Sequence, residues 1–163
     1  MIALLKRLAP QITRRPKPAH PLACANAIVE ELRIDSQVPT LPRLSRLIVL
    51  CDCWSLALLE RPIHSGITTL FLGSPSVPSI HSAFRSYGTD EIMGLARHPQ
   101  IPAFEYPPLA PGPERDIVRE VVCAYRNISA YNLSELLRDR IPGLRDGEIV
   151  PHSALIQLTK PRG

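Results

Sequence analysis

Residues 40–59 read TLPRLSRLIVLCDCWSLALL, and this stretch decides the fold. Leu44, Leu47, Ile48, Cys51, Trp54, Ser55 and Leu58 recur at spacings of three and four, the period of one helical face. Val49, Leu50, Leu56 and Leu59 add apolar groups on the opposite side, so the predicted helix is enclosed by partners and not half-exposed. Thr40 is a capping residue type, and Pro42 fits the first turn, where its missing N–H has no partner to lose. Arg61-Pro62 stops the run. A helix buried all round needs other helices about it.

Working outward, Ala23, Ala27, Ile28, Glu31 and Leu32 space a first helix over Leu22 to Arg33. Beyond the central helix, Thr68 to Leu72 is a short extended segment, and Gly73-Ser74-Pro75-Ser76-Val77-Pro78 forces a turn. A third helix runs from about Pro78 to Tyr87, closed by Gly88, and Asp90 caps one more helical turn over Glu91 to Arg97. Residues 98–112 are proline-dense without periodicity and form the main loop. Pro113 and Glu114 open a fourth helix, with its apolar face at Ile117, Val118, Val121, Val122 and Tyr125. Ser129 caps a fifth whose Leu133, Leu136 and Leu137 face inward, and a last one starts near Pro151. The expected fold class is all-α: a single compact helical domain of five to six helices, with a short extended segment and a basic N-terminal arm. Residues 1–21 are the arm and residues 22–163 the domain.

Charge divides the same way. The chain holds 19 Lys and Arg against 15 Asp and Glu, yet Lys6, Arg7, Arg14, Arg15 and Lys17 stand in the first 18 residues with no acid among them. The rest is close to neutral, so a basic arm is supported and a basic nucleic-acid-binding surface is not. Ile2, Leu4, Leu5 and Leu8 give the arm an apolar stripe suited to a hydrophobic groove. No long uncharged apolar run exists to span a membrane, and the N-terminus is a poor secretory signal, so a cytoplasmic protein is expected.

Chemistry-bearing residues are scattered. Cys51 and Cys53 fall about 200° apart on one helix and cannot face one metal together. Cys24, Cys51, Cys53 and Cys123 are read as structural thiols in a reducing compartment. The five histidines form no metal-binding pair, and His64-Ser65 and His81-Ser82 are neighbours whose side chains diverge along a helix. Glu30-Glu31 and Asp90-Glu91 read as surface or capping acids, Trp54 as core, and no phosphate-binding glycine loop is present. No cofactor, no metal and no enzymatic activity are expected.

The order of these elements resembles the Panacea domain family, which includes antitoxin and proteolytic-adaptor proteins of the SocA and GepA type. Leu44-Ser45-Arg46-Leu47-Ile48-Val49-Leu50 with Trp54-Ser55-Leu56-Ala57 stands where the family has its first helical block, Arg46 replacing the usual lysine. Gly73-Ser74-Pro75-Ser76-Val77-Pro78 resembles its glycine-proline-valine turn with insertions, and Phe84-Arg85-Ser86-Tyr87-Gly88 its helix end. Tyr125 to Ser134 resembles the block ending in Leu-Ser, and Glu148-Ile149-Val150-Pro151 the closing segment. The expected tryptophan is absent near Pro142-Gly143, and Leu137-Arg138 stands where a Thr-His tends to follow, so the chain is a divergent member on this reading.

The resemblance implies a non-catalytic protein that binds and neutralises a cognate protein toxin or delivers it to an ATP-dependent protease. Its partner-binding residues would be Leu4, Leu5, Lys6, Arg7, Arg14 and Arg15 of the arm, together with Arg46, Gly73, Pro75, Val77, Pro78 and Tyr87. The alternative is a phage or prophage accessory protein that touches nucleic acid through the arm.

Overall fold

A computed structural model describes residues 16–138 and 140–160. The chain is mostly helical, with six α-helices and one two-stranded hairpin among the described residues: α1 Pro21–Ile34, α2 Leu41–Leu59, β1 Thr69–Phe71, β2 Ser74–Ser76, α3 Pro78–Phe84, α4 Pro113–Tyr125, α5 Ala130–Leu137 and α6 His152–Gln157. A 3-10 turn, Arg85–Tyr87, extends α3.

Helix α2 is the axis of the molecule. It packs on α1, α3, α4, α5, α6 and β2. Leu44, Leu47, Ile48, Val49, Cys51 and Cys53 are fully buried, which covers its whole circumference. Trp54 is half-buried against this core. The N-cap Thr40 makes no side-chain capping bond, and Glu60 closes the helix in the left-handed conformation. At α5, by contrast, the Ser129 hydroxyl accepts from the Asn132 N–H as expected. Leu133 and Leu137 of α5 are buried but Leu136 is exposed, so its inward-facing side is narrower than expected.

Polar side chains tie the helices together. The Arg115 guanidinium of α4 donates to Glu31 Oε1 (2.8 and 3.0 Å) and to Glu30 Oε2 (3.0 Å) of α1. Glu30 and Glu31 are therefore a clamp and not idle surface acids. Arg61, nearly buried, donates Nε and Nη2 to Glu114 Oε1 at 2.9 and 2.5 Å. Two segments differ from expectation. Residues 91–97 make no helical turn: Glu91 bridges to Thr40, and Ile92 N–H donates to Pro39 O at 2.8 Å. Ser74–Ser76 is a strand and not a plain turn, paired antiparallel with Thr69–Phe71.

The loop after α2 is held from beneath by Asp52, whose Oδ1 accepts from Ile63 N–H at 2.8 Å. Burial pushes the Asp52 carboxyl above its usual range, and burial holds His64 below 6.5 although Asp52 pulls it up. His64 Nδ1 accepts from Gly66 N–H at 3.1 Å, and Nε2 is buried without a partner. A histidine whose folded pKa lies below its unfolded one gives its full stability above 6.5 and loses it as the pH falls below 6.5. Asp52, with the folded pKa raised, acts in the opposite sense in its own window above 3.8. Wild-type stability relative to His64→Gln is expected to decline as the pH drops below 6.5, measured by urea unfolding. A difference that stays constant from about pH 8 to 5 contradicts this account of His64.

Candidate functional site: an apolar hairpin braced by Arg46

The hairpin is closed by Leu72-Gly73, with Phe71 opposite Ser74. Both loop residues have positive φ, +49° at Leu72 and +73° at Gly73, as a two-residue loop matching the strand twist requires. Glycine takes that conformation freely, whereas a leucine there costs about 1–2 kcal/mol. The tip is pinned by Asp146 Oδ1, which accepts from Gly73 N–H at 3.1 Å.

Residues 147–150 run along the free side of β1. Gly147 N–H donates to Leu70 O, Leu70 N–H to Glu148 O and Val150 N–H to Thr68 O, at 2.8–2.9 Å. Thr69 thus pairs with Ser76 on one side and with Ile149 on the other. Paired residues share a face of a sheet, and Phe71 follows two residues on. One face presents Thr69, Phe71 and Ile149, and the other buries Leu70 and Pro75. Phe71 is 54 %, Ile149 62 % and Leu72 69 % exposed, three large apolar side chains around one small hairpin. Beside them a hollow of about 280 Å³ opens between Thr69, Phe71 and Ser76 and the α3 residues Pro78 and His81.

Arg46 supports this face from behind. Its Nε donates to Ser134 Oγ at 3.1 Å and its Nη1 to Pro75 O at 3.2 Å, joining α2, β2 and α5. Burial, and then the charge of Arg138, lower its pKa from the ordinary arginine value. His81 lies with Nε2 3.3 Å from Ser45 Oγ and its ring 6.4 Å from Phe71. Burial first, then the Arg46 charge, lower the His81 pKa from 6.5, which favours a neutral ring next to the apolar face.

The chain matches no family model, no curated protein and no solved structure.

The structure thus brings Arg46, Gly73, Pro75 and Pro78 to one place and gives them different parts. Arg46 spends its donors within the chain and acts as a brace. Pro75 is buried and gives its carbonyl to Arg46. Val77 is fully buried, so the contact expected from its side chain is withdrawn; it belongs to the core. Gly73 is the turn, and Pro78 is exposed at the start of α3. Tyr87 lies beyond the far end of α3, about 10 Å along a seven-residue helix, and its hydroxyl accepts from Gly94 N–H at 3.0 Å. Leu4, Leu5, Lys6, Arg7, Arg14 and Arg15 lie outside the described residues. The reading of the sequence missed Phe71, Leu72 and Ile149. Phe71 and Leu72 had a signal, two large apolar residues before a glycine turn in a stretch too short to bury them; Ile149 had none, because its place is set by pairing with Thr69.

The remaining chemistry is enclosed. Burial pushes the thiols of Cys24, Cys51 and Cys53 above their ordinary value, so all three stay protonated, and Cys24 Sγ donates to Ile63 O at 3.5 Å. Cys123, by contrast, is exposed. No group of three or more His, Cys, Asp or Glu with metal-binding geometry occurs among the described residues, nor is any helix there long and apolar enough to cross a membrane.

Leu72→Asn is expected to raise stability by about 1 kcal/mol, because asparagine followed by glycine suits this turn. Urea unfolding checks it, and a neutral or lower midpoint contradicts the strain assigned to Leu72.

Proposed function

We propose that the chain is a non-catalytic, cytoplasmic protein-binding domain: a divergent Panacea-type antitoxin that neutralises a cognate toxin or delivers it to a protease. In this reading its helices form a single domain and its N-terminal arm extends the contact. The observation that carries the reading is Leu72, a large apolar residue exposed in a left-handed conformation that disfavours it. Strain retained at an exposed apolar tip is expected where a partner is gripped. Phe71 and Ile149 widen the tip into a patch, and Arg46 holds the hairpin on the core so that little ordering is lost on binding.

The experiment is capture from native lysate with the tagged full chain and with a Phe71→Ser/Leu72→Asn double variant, followed by mass spectrometry. One stoichiometric small protein held by the wild type and lost with the double variant supports the reading. Equal capture by both chains contradicts the hairpin as the contact.

The arm favours a second reading. Lys6, Arg7, Arg14, Arg15 and Lys17 could neutralise phosphates, and nucleic acid held that way leaves as salt rises. Capture of nucleic acid alone, released by salt and lost on deletion of residues 1–18, supports it over the first.

A further inference from the structure

On the side of α3 away from the hairpin a cleft of about 610 Å³ lies between α3 with its 3-10 turn and residues 95–99. That volume is in the range of small-molecule sites, about 300–1,000 Å³. Its floor is apolar and buried, made by Leu22, Phe84 and Ala96. One wall carries Ser79, Ser82 and Ser86, spaced three and four apart and so on one side of the helical run. These three hydroxyls take no part in the hydrogen bonding of the described residues.

The opposite wall offers donors. His20 Nδ1 accepts from Leu22 N–H at 3.2 Å, which places the ring proton on Nε2. Arg97 is exposed and gives Nη1 to Pro102 O at 3.0 Å; its backbone neighbour Glu105 makes no ion pair with it. On the serine wall, the Tyr87 oxygen of the 3-10 turn already accepts from Gly94, so its own proton remains to be donated. No carboxylate lines the cleft. Donors on both walls and no acid make the lining complementary to a negative group.

In the wall opposite the serines, His20 is fixed in place from outside the cleft. Tyr106 is stacked between His20 (ring centroids 4.6 Å, 25°) and His98 (5.3 Å, 12°). Asn26, fully buried, holds this stack and the cleft floor together: its Nδ2 donates to Tyr106 O and Ala96 O, and its Oδ1 accepts from Ala96 N–H. His20 lines the cleft and Tyr106 does not, so the cleft meets a part of the imidazole other than the face that Tyr106 covers.

We propose that this cleft is a binding site for a small aromatic anion, a carboxylate or sulfonate on a flat ring. The ring lies over Phe84 and Ala96 beside His20, and the anionic group meets Arg97 and the serine hydroxyls.

The probe is 8-anilinonaphthalene-1-sulfonate, titrated by fluorescence into the folded full chain, with benzoate as competitor. Saturable one-to-one binding is expected, displaced by benzoate. Arg97→Gln weakens it about tenfold through loss of one charge-assisted contact. Ser82→Trp, which fills the cleft from an exposed position, abolishes it, and Leu72→Asn leaves it unchanged. Amide chemical shifts that move at Ser82 and Ser86 on adding benzoate support the site even if the tryptophan variant misfolds. Binding that survives in folded Ser82→Trp overturns the proposal. So does binding lost in Leu72→Asn, since the dye then reports the hairpin.

Discussion

Asn26→Leu is expected to destabilise the protein by about 3 kcal/mol, because Ala96 N–H and Tyr106 O lose their partner at once, while Ala96 O keeps the Tyr106 N–H. Asn26 is fully buried on α1 and makes three bonds to distant chain: Ala96 N–H (2.7 Å), Ala96 O (3.1 Å) and Tyr106 O (2.7 Å). Leucine matches the volume but offers no donor or acceptor. Each orphaned group costs about 1–3 kcal/mol, and the apolar gain from leucine offsets only part of that. In a chain of this size the loss corresponds to roughly a 10 °C drop in Tm. Limited proteolysis should cut first within residues 97–110, which lose one of their anchors while the Leu109 N–H to Ala23 O bond remains. A loss under about 1 kcal/mol shows that the loop holds by its own packing and contradicts the clamp.

The second large effect concerns α2. Ile48→Ala and Leu50→Ala are each expected to cost about 2–5 kcal/mol, although the two positions point about 200° apart. Both are buried, at 0 % and 4 % exposure. An ordinary amphipathic surface helix would tolerate one of the two with a change within about 0.5 kcal/mol. Urea unfolding of the two single variants, with equal slopes, decides between an enclosed helix and a one-sided one.

Where apolar spacing is regular, the helices were legible in the sequence. The all-round pattern of 44–59 gave the central helix, and Pro113 and Ser129 marked real starts. Residues 91–97 were misread because their backbone partners come from elsewhere: Pro39 takes the Ile92 N–H, and the Asn26 amide satisfies Ala96 from 70 residues away. No local pattern encodes such a contact. The strand at Ser74–Ser76 was hidden for a similar reason. Two serines and a proline have no strand preference, and they hold because burial, the Gly73 turn and Arg46 on the Pro75 carbonyl supply what propensity does not. Proline is tolerated there since β2 is an edge strand.

The candidate site was half legible. Arg46 and the 73–78 segment meet in the fold although 27 positions separate Arg46 from Gly73, but the exposed face belongs to Phe71, Leu72 and Ile149. Sequence spacing favoured glycine and proline because they punctuate the chain. Which apolar residues stay exposed depends on the pairing of β1 with residues 147–150, a long-range register.

The central claim is that the hairpin neutralises a protein toxin, and growth rescue tests it most directly. The proposed antitoxin role predicts a small toxin gene beside this chain's gene, to be expressed alone, with the wild type, and with a folded Phe71→Asp/Leu72→Asp variant. Arrest by the small protein, lifted by the wild type and not by the variant, is the predicted result. A small protein that does not arrest growth, or rescue by the variant equal to that of the wild type, contradicts the account.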